Sequence, residues 1–293
     1  MNVGVVGNPR YADLGAVLAH VAREAPARGI TLFTEARLDP FWPCPLPHID
    51  EAPTEPPLHA LLTFGGDGTL LRGARMLRTR STCVLGVNLG RVGFLTTATL
   101  ATLDQALAAL VSGDYIIEPR QGLTAQILAR DGEVRAAQPA LNDVAIHKGG
   151  VARVIRVNVF IEGENVGPYS GDGIVVATPT GSTAYSLSAG GPIVVPGVKA
   201  MLVTPICAHT LAVRPLVVPA SYTIVVEPID GWGDDLLVSF DGQTGSTLAG
   251  GESVRVSRAD EPIHLVRLSH DGFFARMRQK LHWGDLSERE VQR

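Results

Sequence analysis

A glycine-rich turn with one carboxylate is the part of the sequence where chemistry is most expected. The run Gly65-Gly66-Asp67-Gly68-Thr69 follows a short apolar stretch, Leu61 to Phe64, and precedes apolar residues at helical spacing. Glycine has no Cβ, so the backbone can approach a ligand closely. The start of the following helix would offer N–H groups and partial positive charge to an anion. This glycine turn (residues 65–69) therefore predicts a phosphate site.

Asp67 needs an explanation in such a site, because a carboxylate repels phosphate. The repulsion is relieved if a divalent cation bridges the two groups, and it is tolerable if the carboxylate accepts a proton during a reaction. The structural alternative is a plain strand-to-helix turn in which Asp67 or Thr69 caps the helix. The sequence contains no Walker-type phosphate loop, no G-x-G-x-x-G after a strand, no nucleophile elbow and no H-E-x-x-H helix.

A second unusual stretch is rich in hydroxyl side chains. Residues 178–192, with the sequence TPTGSTAYSLSAGGP, follow a predicted strand and place one aromatic ring, Tyr185, among serines and threonines. Hydroxyl groups can pair with the sugars and amides of a dinucleotide, and a flat ring can lie against a base. The alternative is structural, with serine and threonine capping a helix and Tyr185 buried in the core. We call residues 178–192 the hydroxyl-rich segment.

The elements that must position these groups follow from hydrophobic periodicity. In the first part of the chain, apolar runs alternate with helical patterns, which indicates a parallel α/β sheet with its ligand at the carboxyl ends of the strands. Residues 37–57 are dominated by proline and predict a long surface loop, either a lid or a disordered insertion. The predicted strands of this part are Val3–Val6, Ile30–Phe33, Leu61–Phe64 and Val84–Val87.

After Gly113 the helical patterns give way to short strands that continue to about Ser269, which predicts a mostly β, sandwich-like second domain. A final helical pattern, with Phe273, Phe274, Met277 and Leu281 on one face, could return to cover the first domain. The predicted domains are residues 1–114 with 271–293, and residues 115–270. The strands expected in the second part are Ile155–Ile161, Ile174–Ala177, Tyr222–Val226, Leu236–Phe240 and Ile263–Leu268.

Composition narrows the possible partners. The 293 residues are 45% hydrophobic and 18% charged, as in an ordinary globular protein, and the net charge of -4 argues against a general nucleic-acid or membrane-surface binder. The three cysteines are scattered, which favours reduced thiols over a disulfide framework or a zinc site. Neither a signal peptide nor a transmembrane stretch is visible, so we expect a cytoplasmic protein.

Four motifs in this order closely resemble the NAD kinases, over nearly the whole chain. They are Gly65–Thr69, Asn88–Leu95, Asn142–Val144 and Thr178–Pro192. The first motif is shared with lipid kinases of the diacylglycerol and sphingosine type and, more loosely, with phosphofructokinases, whereas the hydroxyl-rich segment is specific. The resemblance implies an α/β N-terminal domain with a parallel sheet and a mostly β C-terminal domain that binds the dinucleotide.

The resemblance also implies a reaction. Members of the family transfer the γ-phosphoryl group of ATP, or in some members of polyphosphate, to the 2′-hydroxyl of the adenosine ribose of NAD, which gives NADP. The resemblance implies that Asp67 either accepts the proton of that hydroxyl or orients the hydroxyl for in-line attack. It also implies that Gly68 contacts the donor phosphates. Mg²⁺ or another divalent metal would be carried on the donor phosphates instead of in a dedicated protein site. The resemblance implies that NAD and ATP are the substrates. It also implies that the enzyme is a homodimer or homotetramer.

The remaining site residues are carried over from the family by position. Asn142 and Asp143 would hold the adenosine part, and Asp143 stands where the family more often has Glu. Phe94 would lie near the adenine, and Asp172 near the nicotinamide ribose. Further nucleotide-binding positions are Asn88, Arg153, Thr180, Thr183, Ala184, Tyr185, Ser186, Leu187, Ser188 and Gln243.

Two other functions compete with this one. A lipid or small-alcohol kinase of the same fold would need an apolar acceptor groove where this chain has Thr183, Tyr185 and Ser188. A non-catalytic module that binds or senses a dinucleotide would tolerate the loss of Asp67, which is present.

Overall fold

The computed structural model describes residues 1–54, 57–77, 79, 81–90, 93–149, 154–210, 212–229, 236–268 and 272–284. The chain divides into two compact units. Unit 1 comprises Met1–Pro119 and Ile263–Arg293, and unit 2 comprises Arg120–Pro262. The domain limits of the sequence analysis stay a prediction, because compact packing alone does not establish that a segment folds by itself.

Strands predominate along the chain, and helices are few. Within the described ranges no helix is both long and apolar enough to span a membrane. Short 3₁₀ turns cover Ala36–Phe41, Ile49–Glu51, Leu100–Thr102 and Gly181–Thr183. In chain order the elements are β1 (Asn2–Gly7), α1 (Leu14–Ala27), β2 (Thr31–Thr34), β3 (Ala60–Gly65), α2 (Asp67–Met76), β4 (Cys83–Asn88), β5 (Ala98–Thr99), α3 (Leu103–Ser112), β6 (Ile116–Arg120), β7 (Leu123–Leu128), β8 (Val134–Ala140), β9 (Asp143–Lys148), β10 (Ile155–Ile161), β11 (Glu164–Gly171), β12 (Gly173–Ala177), α4 (Tyr185–Ser188), β13 (Ala200–Ile206), β14 (Leu216–Pro219), β15 (Ile224–Pro228), β16 (Leu236–Phe240), β17 (Thr244–Leu248), β18 (Ser253–Arg258), β19 (Ile263–Arg267) and α5 (Phe273–Leu281).

Unit 1 is built on a parallel sheet, as the alternating pattern predicts. Its strand order is β2-β1-β3-β4-β19-β6, with β5 paired to β4, and β1, β2, β3, β4 and β19 pair in parallel. All six residues of β3 and all six of β4 are buried. Strands buried on both faces read as continuous apolar runs, which explains why the sequence reveals them. The site residues Asp67 and Asn88 follow or end these two strands.

The proline-rich stretch is more ordered than a loop prediction suggests. Leu38, Trp42 and Ile49 are buried, and the indole Nε1 of Trp42 donates a 2.7 Å hydrogen bond to Thr34 Oγ1 at the end of β2. The large apolar side chains hold the segment against unit 1 despite the prolines. The interpretation of residues 37–54 as a disordered insertion is therefore wrong; residues 55 and 56 lie outside the described ranges.

A buried ion pair ties helix α2 to the end of β1. Glu35 is 4% exposed, and its Oε1 accepts the backbone N–H of Gly7 at 2.8 Å and Nη2 of Arg72 at 2.8 Å. The same Nη2 donates to the carbonyl of Gly7 at 2.6 Å, and Arg72 Nη1 donates to Glu35 Oε2. Because Arg72 lies on α2, these bonds fix the helix that begins with Asp67.

Removal of Arg72 should destabilise unit 1 strongly. Arg72→Met leaves the buried carboxylate of Glu35 without its cation, which should lower the free energy of unfolding by about 3–5 kcal/mol in urea denaturation. Arg23→Met on α1 is the matched control, because the Arg23–Glu24 pair is at the surface, with Arg23 67% exposed, and should cost less than about 1 kcal/mol. Similar losses in the two variants would contradict this account.

Unit 2 is a sandwich of two six-stranded antiparallel sheets. One has the order β11-β10-β15-β18-β7-β8 and the other β14-β13-β12-β9-β16-β17. Alternating residues of β10, such as Val157 and Val159, meet residues of β12 and β13 in one buried core. The β-rich prediction for this part is confirmed.

Two details depart from the sequence analysis. The strand expected at Ile263–Leu268 belongs with unit 1, where β19 pairs in parallel with β4, Leu265 opposite Val84. An apolar run predicts that a strand is buried, but it does not predict which sheet the strand joins. On α5, Met277 is buried but Phe274 is 56% exposed, so the predicted helical face is narrower than expected.

Candidate active site

The glycine turn connects β3 to α2 through backbone that only glycine adopts readily. Gly65 has φ +156°, and a Cβ there would lie 2.3 Å from Thr69 Oγ1. Gly66 is the N-cap, and its carbonyl accepts the N–H of Thr69 at 2.9 Å. Gly68 is exposed in the first helical turn. The turn therefore presents the start of a helix, which favours an anion.

Asp67 is held in place by backbone amides of the next loop. Its Oδ2 accepts the N–H of Phe94 at 2.7 Å, and its Oδ1 accepts those of Leu95 at 3.1 Å and Thr96 at 3.4 Å. The side chain is half-buried. Three consecutive donors fix the direction of the carboxylate, and Asp67 does not cap α2, because the N-cap is Gly66 and no side chain makes a cap hydrogen bond.

Gly93 makes this contact possible. A Cβ at Gly93 would lie 1.9 Å from Oδ1 and 2.5 Å from the carboxyl carbon of Asp67, a separation that no pair of non-bonded atoms tolerates. The glycine at position 93 therefore leaves room for the acid.

The loop from Asn88 to Phe94 is anchored at both ends in unit 1. The side chain of Asn88, 6% exposed at the end of β4, accepts the N–H of Gly90 at 2.8 Å. The ring of Phe94 lies 6.2 Å from that of Phe273, and Lys280 Nζ lies 5.8 Å from its centroid. Phe94 thus packs against α5, and its half-buried ring keeps some exposed surface.

In unit 2, Asp143 is the first residue of β9, and Asn142 directly precedes it. Asn142 Oδ1 is buried and has no hydrogen-bond partner within the described part of the chain. A buried acceptor without a partner is costly, so such an atom points to a donor that a ligand would supply.

Asp143 is a buried acid with a strongly shifted pKa. It is 4% exposed, and burial together with the nearby carboxylate of Asp241 raises its pKa from 3.8 to about 7, against a hydrogen bond from the backbone of Tyr185 that lowers it. Burial is the larger cause. Strongly shifted acids of this kind are concentrated at functional sites.

Sequence reasoning missed Asp241 as a member of this site. In the sequence, Asp241 and Gly242 indicate only a turn, and the structure places that turn between β16 and β17. In the structure it is 8% exposed, and its carboxylate accepts backbone N–H groups of Leu141, Asn142 and Asp143. No local signal could have identified these contacts, because the partners lie about a hundred residues away in the sequence.

The hydroxyl-rich segment contains side chains with two different roles. Three hydroxyls are buried and bonded within unit 2. Thr178 Oγ1 donates to the carbonyl of Leu141 at 2.7 Å, Ser182 Oγ donates to that of Pro179 at 2.7 Å, and Ser186 Oγ lies 2.8 Å from Thr204 Oγ1. These bonds shape the segment, and any ligand contact by Ser186 would have to come from its backbone.

The other members of the segment differ in their exposure. Tyr185 is 41% exposed, so the alternative that it is a core residue is wrong, and Ser188 is exposed as well. Thr180 is buried, with Arg120 Nη1 3.3 Å from its Oγ1, while Thr183 Oγ1 donates to the carbonyl of Thr180 at 3.3 Å. Thr183, Ala184 and Leu187 are half-buried.

Asp172 lies at the turn between β11 and β12 and pairs with Lys148. The Lys148 Nζ to Asp172 Oδ1 distance is 2.8 Å, and this hydrogen bond is the main cause of the lowered pKa of Asp172. The ammonium group of Lys148 is thus engaged by an acid. Gln243 is exposed at the β16–β17 turn, next to Asp241. Arg153 lies outside the described residues, as does Arg91.

Comparison with known proteins identifies the class and then the family. Residues 55–115 match the model of the ATP-NAD kinase N-terminal domain, and residues 141–268 match that of the ATP-NAD kinase C-terminal domain. These matches define the chain as a kinase, an enzyme that transfers a phosphoryl group to an alcohol. The NAD kinase of Gemmatimonas aurantiaca is 47% identical over 290 residues, which cover 99% of both chains. The NAD kinase of Desulforamulus reducens is 35% identical over 95% of this chain and 96% of its own. This chain belongs to the NAD kinase family.

Solved structures agree with the sequence relatives. Yeast NADH kinase in complex with NADH matches with a TM-score of 0.86 and 26% identity, covering 97% of this chain and 88% of that one. An NAD kinase from Archaeoglobus fulgidus in complex with ATP matches with a TM-score of 0.70 and 24% identity, covering 96% and 99%. The second likeness supports the fold alone. The predicted fold class, an α/β domain with a parallel sheet and a mostly β domain, is confirmed.

Gly93→Ala should impair catalysis more than folding. The added methyl group would displace the Asp67 carboxylate, and a shift of about 1 Å in a reacting group can cost about 100-fold in kcat. Gly15→Ala on α1 is the matched control, because a Cβ there meets nothing within 4 Å. Steady-state kinetics and thermal unfolding of both variants test this, and wild-type kcat in Gly93→Ala would refute it.

Asp143→Asn should change how stability depends on pH. The folded protein keeps a proton on Asp143 that the unfolded chain releases above its ordinary pKa of 3.8, so wild-type stability falls as pH rises through the interval up to about 7. Asparagine does not titrate. The difference between the unfolding free energy of the Asp143→Asn variant and that of the wild type should therefore rise between pH 4 and pH 8, by up to about 4 kcal/mol.

Asp172→Asn provides a control with the opposite sign. The pKa of Asp172 is lowered, so its ionised form contributes stability at neutral pH that is lost as pH falls. The deficit of Asp172→Asn should therefore shrink towards low pH. Parallel pH curves for the wild type and Asp143→Asn would contradict the assignment of the raised pKa to Asp143.

Proposed function

We propose that this enzyme transfers the γ-phosphoryl group of ATP to the 2′-hydroxyl of the adenosine ribose of NAD, which gives NADP and ADP. The observation that carries the proposal is the carboxylate of Asp67, which three backbone amides fix beside a glycine turn and a helix start. Together these supply a base and an anion site within unit 1.

The chemical role of Asp67 follows from the reaction. The 2′-oxygen forms a bond to the γ-phosphorus, the bond from that phosphorus to the β,γ-bridging oxygen breaks, and the hydroxyl proton passes to the Asp67 carboxylate. A ribose hydroxyl is a weak nucleophile, so a positioned carboxylate both orients it and removes its proton as the new bond forms. Each Asp67 oxygen has two lone pairs, so the amide bonds leave it able to accept this proton.

The donor phosphates are assigned to the glycine turn. The first turn of α2, which begins at Asp67, places the positive end of a helix dipole at the glycine turn. Polyphosphate could bind at the same helix start, because a helix dipole attracts phosphate oxygens and does not recognise a nucleobase.

In this reaction a divalent metal would be carried mainly by the donor phosphates. Across the described residues there is no group of three or more His, Cys, Asp or Glu side chains that could hold a metal ion. Mg²⁺ commonly keeps few protein ligands and binds substrate phosphates, and Asp67 is the carboxylate at the glycine turn that could contact it. When bound, the metal would neutralise phosphate charge.

The acceptor is assigned to unit 2. The unpartnered Oδ1 of Asn142 suits the exocyclic amino group of adenine, and Asp143 suits ribose hydroxyls. The exposed ring of Tyr185 offers a flat surface to the nicotinamide part. NADH in a solved relative that is 26% identical supports a dinucleotide at such a site. The alternative of a lipid kinase is disfavoured, because the whole chain is similar to NAD kinases.

Asp67→Asn should abolish most NADP formation. The enzyme is incubated with ATP, Mg²⁺ and NAD, and NADP is detected with a dehydrogenase that accepts only NADP. Asparagine has nearly the same shape but cannot take the proton, and its N–H₂ group would face at least one of the amides that bond the carboxylate, so kcat should fall by about 10²–10⁴-fold.

Asp104→Asn is the matched control for this experiment. Asp104 also lies in the first turn of a helix, α3, and its side chain is 56% exposed and makes ion pairs at the surface. Its variant should keep wild-type kcat. Full activity of Asp67→Asn would remove Asp67 as the base, and the absence of NADP with the wild-type enzyme would overturn the proposed function itself.

A further inference from the structure

The segment that carries Asn142 and Asp143 is clamped by a carboxylate from a distant hairpin. Asp241 Oδ1 accepts the backbone N–H of Asn142 at 2.7 Å and that of Asp143 at 3.2 Å, and both carboxyl oxygens lie 3.1 Å from the N–H of Leu141. Successive N–H groups that converge on one point form an anion-binding concavity in the backbone. Asp241 fills that concavity from within the protein.

The clamp meets a need created by the strand boundaries. Leu141 and Asn142 lie between β8 and β9, so strand pairing does not provide acceptors for their N–H groups. Buried backbone donors require partners. The bond is reciprocal, because the N–H of Asp241 donates to the carbonyl of Asp143 at 2.9 Å.

The carbonyl side of the same segment is fixed by the hydroxyl-rich segment. Thr178 donates from Oγ1 to the carbonyl of Leu141 at 2.7 Å and from its backbone N–H to that of Asn142 at 2.9 Å. A Cβ at Gly181 would lie 2.0 Å from the Asn142 carbonyl oxygen, so the two segments are in direct contact. With both sides of the backbone bonded, the directions of the Cα–Cβ bonds of Asn142 and Asp143 are fixed.

We propose that Asp241 is a positioning residue for the acceptor substrate, whose carboxylate fixes the backbone of residues 141–143 and thereby aims Asn142 and Asp143 at the dinucleotide. The inference rests on the proposed function. It explains why a carboxylate that is 8% exposed is placed beside another that is 4% exposed, although the two repel. The second acid is needed as an acceptor for three amides.

The charge of Asp241 also acts on Asp143. It is the second cause, after burial, of the raised pKa of Asp143. The other groups near Asp143 are Tyr185, whose backbone bond lowers that pKa, and the more distant Asp172 and Cys207, which act on the Tyr185 phenol. Arg120 is bonded to Thr180 in the neighbouring turn. Loss of the Asp241 charge should therefore let Asp143 ionise at lower pH.

Asp241→Asn tests the proposal in the full-length enzyme. Asparagine tolerates the left-handed conformation of Asp241, φ +52°, but places an N–H₂ group against one of the three amides. We expect the KM for NAD to rise by about 10- to 100-fold, as lost charge-assisted bonds would give, while the KM for ATP stays unchanged. NAD affinity should depend on the ionisation of Asp143, so the pH at which this change in affinity is half complete, its pH midpoint, should move to lower pH in the variant.

Asp131→Asn is the matched control. Asp131 also precedes a left-handed glycine, Gly132, in a hairpin of unit 2, but it is exposed and accepts a single N–H, that of Glu133 at 3.1 Å. Its variant should keep the wild-type KM and pH midpoint. A merely structural role for Asp241 would lower the melting temperature and the active fraction without changing either quantity, and that result would overturn the proposal.

A second variant covers a failure of Asp241→Asn to fold. Asp241→Glu keeps the charge and moves it, so the KM for NAD should rise while the pH midpoint stays near that of wild type; an unchanged KM would overturn the inference. If neither variant folds, the residue is structural and the proposal is wrong. Wild-type enzyme that forms no NADP would instead contradict the proposed function, so the two failures are distinguishable.

Discussion

The convergence of three consecutive backbone amides on one carboxylate is the interaction on which both halves of this enzyme depend. In unit 1 the amides of residues 94–96 hold Asp67, and in unit 2 those of residues 141–143 hold Asp241. The three amides are divided between the two oxygens of Asp67, whereas all three reach Oδ1 of Asp241. Under the proposed function, the loop positions the acid for chemistry in the first case, and the acid positions the loop in the second. Charge-assisted hydrogen bonds of this kind are short and directional, which is what a reacting group and its neighbours require.

Such sites have an energetic cost that the surrounding fold must offset. Asp143 and Asp241 are both nearly inaccessible, and a buried charge is stable only when hydrogen bonds or counter-charges satisfy it. Asp241 has three amide donors, while Asp143 responds with a raised pKa. Buried strands and a two-sheet core supply the stability that permits this arrangement. In unit 1 the buried Glu35–Arg72 pair serves the same end, because it fixes the helix that begins at Asp67.

Glycine matters in this enzyme through close approach as much as through conformation. Gly93 leaves room for the Asp67 carboxylate, and Gly181 lets the hydroxyl-rich segment lie directly on the Asn142 carbonyl. Neither Gly93 nor Gly181 is among the described glycines that have a positive φ. Their role is therefore invisible to turn rules and becomes clear only when the opposing atoms are known.

The sequence by itself determined the motifs, most strand positions and the fold class, because periodicity and local turn chemistry are encoded within a few neighbouring residues. The family followed from the resemblance of the motifs to those of known proteins. The sequence located Asp67, Asn142, Asp143 and Tyr185 without coordinates. Only the tertiary structure decided which hydroxyls of residues 178–192 face inward, which sheet receives β19, and that Asp241 belongs with Asn142. These outcomes depend on pairings between residues as much as 100 positions apart, and no local pattern specifies which distant backbone amides will meet a given carboxylate.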